Sequence, residues 1–331
     1  MLNQYSKTRQ IEEISLEEID FSSNITRFSF TAESQELLSS IKKSGLFNPV
    51  YLIGPDKARR FTPLCGHRRL DACRQLGWSK IPAIVLKEGP SAPMERLLFN
   101  VEENRTHRKF NGMEISNIVF KLKEFGMQEE RIIGEVMHLL ELEKSKKVYL
   151  GYLSLQSLNR DLQEYVVGAN APLKLSSRMA SWKEEDQQSL ASVIRVFHPG
   201  ANKLKEMVEI LEEIALRDGT TPKEILKEGE LDAVCRSEEL SPSDKARKLF
   251  SLLQEKRYPL LAGKRASMEQ KMKNLGSLKG TALNYPKNWE EEELALSLRF
   301  SSAEELYTRL EAVKSGWEKE KIEGILKLLQ E

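Results

Sequence analysis

The run Leu64-Cys65-Gly66-His67-Arg68-Arg69-Leu70-Asp71-Ala72 constrains this chain more than any other stretch. A glycine ends an expected strand and opens a helix, and a histidine and two arginines follow at once. Glycine allows a tight backbone turn and lets an anion approach the main chain. The free amides of the helix's first turn, at its positive dipole end, favour a phosphate. Arg68 and Arg69 add permanently charged forks that grip phosphate oxygens. The ordinary alternative is a basic helix start paired with a nearby acidic segment.

Strands and helices alternate around this turn. Val50-Tyr51-Leu52-Ile53 reads as a strand closed by Gly54-Pro55-Asp56, and the segment up to Cys65 as a second. Arg68 to Leu76 reads as a helix stopped by Gly77, and Ile81 to Leu86 as a returning strand. Residues 1–10 are polar and expected to fray. Beyond residue 112 the apolar period becomes helical, with Ile115, Ile118, Val119 and Leu122 on one face. Further on, Thr221-Pro222-Lys223-Glu224 has the form of a capping box with proline at the first helical position, and Ser241 starts another helix. Near the end, Leu294, Leu296, Leu298 and Phe300 alternate as in a half-buried strand. Ser301-Ser302-Ala303-Glu304 then starts a helix.

The ordered set of motifs resembles ParB, the bacterial partition protein. The Gly66 run resembles the family's G-E-R-R-x-x-A signature. Glu33 to Val50 resembles its helix, glycine turn and "G-L-x-x-P-V". Thr26-Arg27-Phe28 sits where ParB has Gln-Pro-Arg, and Val101 to Arg108 is similar to the E-N-x-Q-R box. The resemblance covers roughly residues 11–115. It implies a domain that binds CTP, or another nucleoside triphosphate, with Mg2+ and closes a clamp on DNA, at most as a weak CTPase. Carried over by position, Arg27, Gly66, His67, Arg68, Arg69 and Asn104 would hold the nucleotide, and Glu103 would sit by the metal.

Further along, Gln128 to Leu140 and Lys144 to Leu155 resemble the family's helix-turn-helix, with a longer connection between the two helices. The likeness places Ser145 as N-cap and Lys146, Lys147 and Tyr149 where recognition-helix residues meet phosphates and base edges. The C-terminal strands and helix resemble the family's dimerisation domain. The implied fold class is an α+β ParB/sulfiredoxin-like domain (11–115), then an all-α helix-turn-helix region (116–195), a helical connector (196–275) and a C-terminal ββα segment (276–331). The implied partners are double-stranded DNA and a second copy of the chain, in plasmid or chromosome partition or in transcriptional regulation.

Several departures from the family pattern bear on chemistry. His67 stands where the family has glutamate, Ile25-Thr26 replaces Gln-Pro, and the box reads Glu103-Asn104-Arg105-Thr106-His107. The family's L-G-R-G-L segment for a ParA-type ATPase is missing. His67-Arg68 also matches sulfiredoxin, an ATP-dependent phosphotransfer enzyme, but Cys65 lies one residue before its nucleophile position, so a buried thiol is expected. A ParB-like nuclease would use His67, Glu103 and His107 as metal ligands.

Composition narrows the classes. Fifty-one basic and 50 acidic residues give a net charge of +1, so any DNA contact must come from local patches. No apolar run approaches a membrane span, and three cysteines without metal spacing suit a reducing, cytoplasmic setting, to which the ParB resemblance adds association with the nucleoid.

Overall fold

The computed structural model describes residues 10–30, 35–87, 89–286, 289 and 292–330. The expected fraying of residues 1–10 falls almost wholly outside them. The chain forms two compact units, one of Met1–Val208 with Thr221–Lys227 and one of Glu209–Thr220 with Glu228–Glu331.

The first unit opens on a four-stranded mixed sheet in the order β1-β4-β2-β3: β1 (Ile11–Ser15), β2 (Val50–Ile53), β3 (Thr62–Cys65) and β4 (Lys80–Leu86). β4 runs antiparallel to β1 and parallel to β2, with Tyr51 opposite Ile84, while β3 is antiparallel to β2. Side chains alternate across the sheet as the strand period requires. Val50, Leu52, Ile81 and Ala83 join one core with Ile41 of α1 (Gln35–Ser44) and Leu70 and Cys73 of α2 (His67–Gln75). Ile84, Leu86 and, more exposed, Tyr51 and Ile53 face Phe99 of α3 (Pro93–Arg105). The sheet is therefore covered on both faces, and β3, which leads into α2, forms one of its edges.

The helical region shares a core with this domain. α4 (Gly112–Glu124) buries Ile115, Ile118, Val119 and Leu122, the face read from the sequence, against Phe28, Leu97 and Val101 and against Ile132, Val136, Met137 and Tyr149. The expected boundary at 115/116 thus falls inside a helix, and sheet and helices form one unit. The physical cause is that α4 is too apolar on that face to stand as a linker.

α5 (Glu129–Arg131), a π-helical stretch (Ile132–Val136) and α6 (Met137–Leu139) form the first expected helix, and α7 (Lys146–Ser154) the second. α8 (Arg160–Gly168), α9 (Leu173–Ala180) and α10 (Glu184–Phe197) follow. α11 (Ala201–Asp218) supplies residues to both units. The Thr221 capping box is present at α12 (Pro222–Leu226).

The second unit contains α13 (Gly229–Arg236), α14 (Pro242–Arg257), capped by Ser241, and α15 (Pro259–Leu275). Its hairpin pairs β5 (Thr281–Asn284) with β6 (Ala295–Leu298), Leu283 opposite Leu296. α16 (Ala303–Gly316), capped by Ser302, and α17 (Lys319–Gln330) complete it. The expected ββα segment therefore carries one helix more. Ile325, Leu328 and Leu329 of α17 close a core with Met268 and Leu275 of α15 and with Trp317, so the expected break at 275/276 also runs through shared packing.

Candidate nucleotide site at the Gly66 turn

Gly66 adopts φ 93°, the left-handed conformation that favours glycine, and stands at the N-cap of α2 with no side chain capping the helix. A Cβ here would lie 2.8 Å from Val50 Cγ1, so the space is closed as well as the conformation strained. The first-turn amides have no capping side chain and adjoin a cavity of about 220 Å3 lined by Phe28, Ser29, Leu37, Gly66, His67, Arg68, Arg69, Asn100, Asn104 and Arg108. Five of the residues expected from the sequence, Gly66, His67, Arg68, Arg69 and Asn104, thus meet at one cavity.

Their roles differ. Arg68 is half-buried at the cavity and makes no hydrogen bond or ion pair among the described residues, so its guanidinium is available to an anion. Arg69 is already engaged: Nη1 donates to the carbonyls of Asn48 (2.8 Å) and Pro49 (2.9 Å), and Nη2 lies 3.8 Å from Glu103. It fastens the loop before β2 to the helix start. Arg27 does not line the cavity. Its guanidinium donates twice to Asp71 (2.7 and 3.1 Å), pinning the 24–30 segment to α2 instead of reaching for phosphate. The pair joins residues 44 apart, and nothing local in the sequence announces it.

His67 is buried. The Thr26 hydroxyl donates to Pro63 O (3.2 Å), and its oxygen lies 2.7 Å from His67 Nε2. With that one hydroxyl proton committed, Nε2–H donates to Thr26 and Nδ1 is left as an acceptor. Burial, helped by the Arg27 charge, pulls the imidazole down to about 4. At neutral pH His67 is therefore an uncharged positioning group at the place where the family pattern has a glutamate.

Sequence reasoning missed Asn100 and Arg108. Asn100 is buried on α3, donates to Thr26 O (2.7 Å) and accepts from Asn104 Nδ2 (2.7 Å). That leaves the Asn104 side-chain oxygen available as an acceptor. Four-residue spacing on one helix was the available signal. Arg108 packs over the rings of Phe28 and Phe110 and donates to both oxygens of Glu114 (2.6 and 2.9 Å). Glu114 is 1% exposed and completes the Asn111 capping box of α4.

Glu103 does not line the cavity but sits beside Arg69 with a partly exposed carboxylate. One hard oxygen donor suits a cation whose other ligands are phosphates and water. His107 lies in a separate, exposed turn. Among the described residues no group of three His, Cys, Asp or Glu side chains could hold a metal, so the triad that a nuclease would need is not assembled. Cys65 is wholly buried, which pushes its thiol well above the ordinary range and removes it as a nucleophile.

The helix-turn-helix residues separate likewise. Lys146 and Lys147 are exposed at the start of α7, Lys146 within 2.9 Å of Glu129. Ser145 occupies the N-cap position without a side-chain cap bond. Tyr149 is 2% exposed and belongs to the shared core, which corrects its assignment to DNA: a phenol packed among Val148, Tyr152 and Leu153 cannot reach a base edge. Among the described residues no helix is long and apolar enough to cross a membrane.

The mixed sheet, the helix-opening glycine and the basic cavity belong to one α+β domain. Residues 2–99 match the family model of the ParB N-terminal domain. Among solved structures the chain is similar to the C-terminally truncated chromosome-partitioning protein ParB from Caulobacter crescentus complexed with CTP-γ-S. That match has 20% identity and a TM-score of 0.27 over 56% of this chain and 99% of the other. The same Caulobacter protein complexed to the centromeric parS site matches with 16% identity and a TM-score of 0.35, over 60% and 98% of the two chains. A Pnob8-like ParB-N domain matches with 15% identity and a TM-score of 0.34, over 74% and 98%. No curated protein matches the sequence.

Proposed function

We propose that this chain is a DNA-binding partition or regulatory protein of ParB type, whose N-terminal domain binds a nucleoside triphosphate, CTP foremost, to switch a dimeric clamp on DNA. The observation that carries the reading is the uncapped α2 N-terminus behind Gly66, with Arg68 unpartnered at the cavity among the described residues, inside the segment that matches the ParB N-terminal domain. Gly66 and the α2 amides would hold phosphate oxygens and Arg68 would neutralise them. Glu103 and the Asn104 oxygen would face the Mg2+ that accompanies the triphosphate. No side chain is assigned to hydrolysis.

Titration calorimetry with each of the four nucleoside triphosphates and Mg2+, with and without duplex DNA, tests this. Wild-type protein is expected to bind CTP most tightly. Arg68→Ala should bind about 10- to 150-fold more weakly, the loss of one charge-assisted hydrogen bond of about 1.5–3 kcal/mol. Absence of binding by the wild type at millimolar nucleotide would overturn the reading.

DNA is assigned to the start of α7, with Lys146 and Lys147 on phosphates. Replacing both by alanine should weaken binding and flatten the log affinity against log salt by about 0.9 for each phosphate left without its lysine. An unchanged slope would place the duplex elsewhere. Dimerisation is assigned to the C-terminal hairpin and α16, where Leu296, Phe300, Tyr307 and Leu310 are exposed apolar side chains. Deleting this segment would also strip the α15 core, so substitution is the cleaner probe. Light scattering should find a dimer that Leu296→Glu with Phe300→Glu converts to monomer; a wild-type monomer refutes the assignment.

A further inference from the structure

One hydrogen-bond network behind the cavity ends on backbone carbonyls, which can only accept, and these ends fix every proton between them. Asn100 Nδ2 faces Thr26 O at 2.7 Å, so Asn100 Oδ1 is turned to Asn104. Asn104 Nδ2 lies against Asn100 O (2.9 Å) as well as that Oδ1 (2.7 Å), which spends both its hydrogens and leaves its own oxygen to the Mg2+ assigned above. On the other branch Pro63 O takes the Thr26 hydroxyl proton, His67 Nε2–H donates to Thr26 Oγ1, and Nδ1 stays bare. Thr26 and His67 are 1% and 5% exposed, so the ring is held from within the protein. His67 lines the cavity, and its Nδ1 has no hydrogen-bond partner among the described residues and is not walled in by them. A fixed acceptor therefore stands beside the α2 amides and Arg68, and no phosphate oxygen can satisfy it.

We propose that His67 is a specificity residue of the nucleotide site, its Nδ1 accepting from an O–H group carried in with the phosphates, either a ribose hydroxyl or a water on the accompanying Mg2+. Thr26 is its positioning residue. The inference rests on the nucleotide reading above. It gives His67 no contact with phosphate, because two acceptors cannot share a hydrogen bond without a proton between them. A neutral O–H brings that proton. Burial keeps the ring uncharged at neutral pH, so the lone pair on Nδ1 is present to receive it.

The tautomer is measured first, on the full chain without ligand. Of the four histidines, His107, His138 and His198 are exposed and His67 is buried, which separates its ring-nitrogen NMR signals from theirs. They should show Nε2 protonated and Nδ1 bare, and a protonated Nδ1 overturns the inference whether or not nucleotide binds. Thr26→Val should weaken that preference, and Thr26→Ser, which keeps the hydroxyl, should preserve it. Titration calorimetry then compares wild type and His67→Leu on CTP, 2′-deoxy-CTP and 3′-deoxy-CTP with Mg2+, and on CTP in EDTA. His67→Leu should bind CTP with Mg2+ about two- to tenfold more weakly, the loss of one neutral hydrogen bond. That penalty should vanish on one of the deoxynucleotides if a ribose hydroxyl is the donor, or in EDTA if metal-bound water is. A general loosening of the fold would persist in every arm; a penalty that does so overturns the proposal, as does no penalty at all. Wild type that binds no nucleotide overturns the nucleotide reading and this inference with it, whereas failure of the inference alone leaves wild-type binding intact.

Discussion

Gly66→Ala is expected to reduce triphosphate binding by well over tenfold and to destabilise the first unit by about 1–3 kcal/mol, the cost of holding a side chain in left-handed backbone. Two effects act in the same direction. The backbone at φ 93° is open to glycine at no steric cost. The added methyl would press on Val50 at 2.8 Å and on Arg69 Nη2 at 3.2 Å, and Val50 is a fully buried residue of β2. Relief would require α2 to move away from the sheet, carrying the cavity amides and Arg68 with it. Calorimetry for the ligand and urea unfolding for stability, on the same samples, separate the two consequences. Wild-type nucleotide affinity in this variant would falsify the placement of the phosphate at the turn.

The second large effect concerns Arg108. Its guanidinium is the bidentate partner of a carboxylate that is 1% exposed. Arg108→Ala leaves Glu114 with one backbone donor, the Asn111 N–H, and should lower stability by about 3–5 kcal/mol, as breaking buried ion pairs does. Arg108→Ala combined with Glu114→Gln should recover much of that loss, because the stranded charge is gone while the capping geometry persists. Urea unfolding of the single and double variants decides it. Equal losses in both would mean that the missing packing against Phe28 and Phe110, rather than a stranded charge, accounts for the effect.

The sheet and the Gly66 turn are legible in the sequence because they rest on local rules. Val50–Ile53 is a short apolar run of β-branched and aromatic residues, glycine and proline close it, and a glycine followed by a basic run marks the β3–α2 corner. The α4 face is legible from its period alone. Tyr149 is misplaced by its resemblance to a recognition-helix residue, although its own signal is present: Val148, Tyr149, Tyr152 and Leu153 form an i, i+4 stripe that places the tyrosine inside. α17 escapes the same resemblance, since Ile322, Ile325, Leu328 and Leu329 repeat at helical spacing beyond the ββα pattern. Arg27–Asp71 and Thr26–His67 belong to a different class. Each joins residues more than 40 apart, and only the tertiary fold brings a carboxylate or hydroxyl to meet them.

The core shared by α3, α4, α7 and the Phe28 segment should make these elements one cooperative block in hydrogen exchange. With Leu97, Val101, Ile118 and Tyr149 packed in one cluster, opening of the helical half exposes the wall of the cavity at the same time. Any ligand that binds only the closed form therefore slows exchange throughout the block, by a factor set by its concentration over its dissociation constant. Amides of α7 would report on the occupancy of a cavity they do not touch.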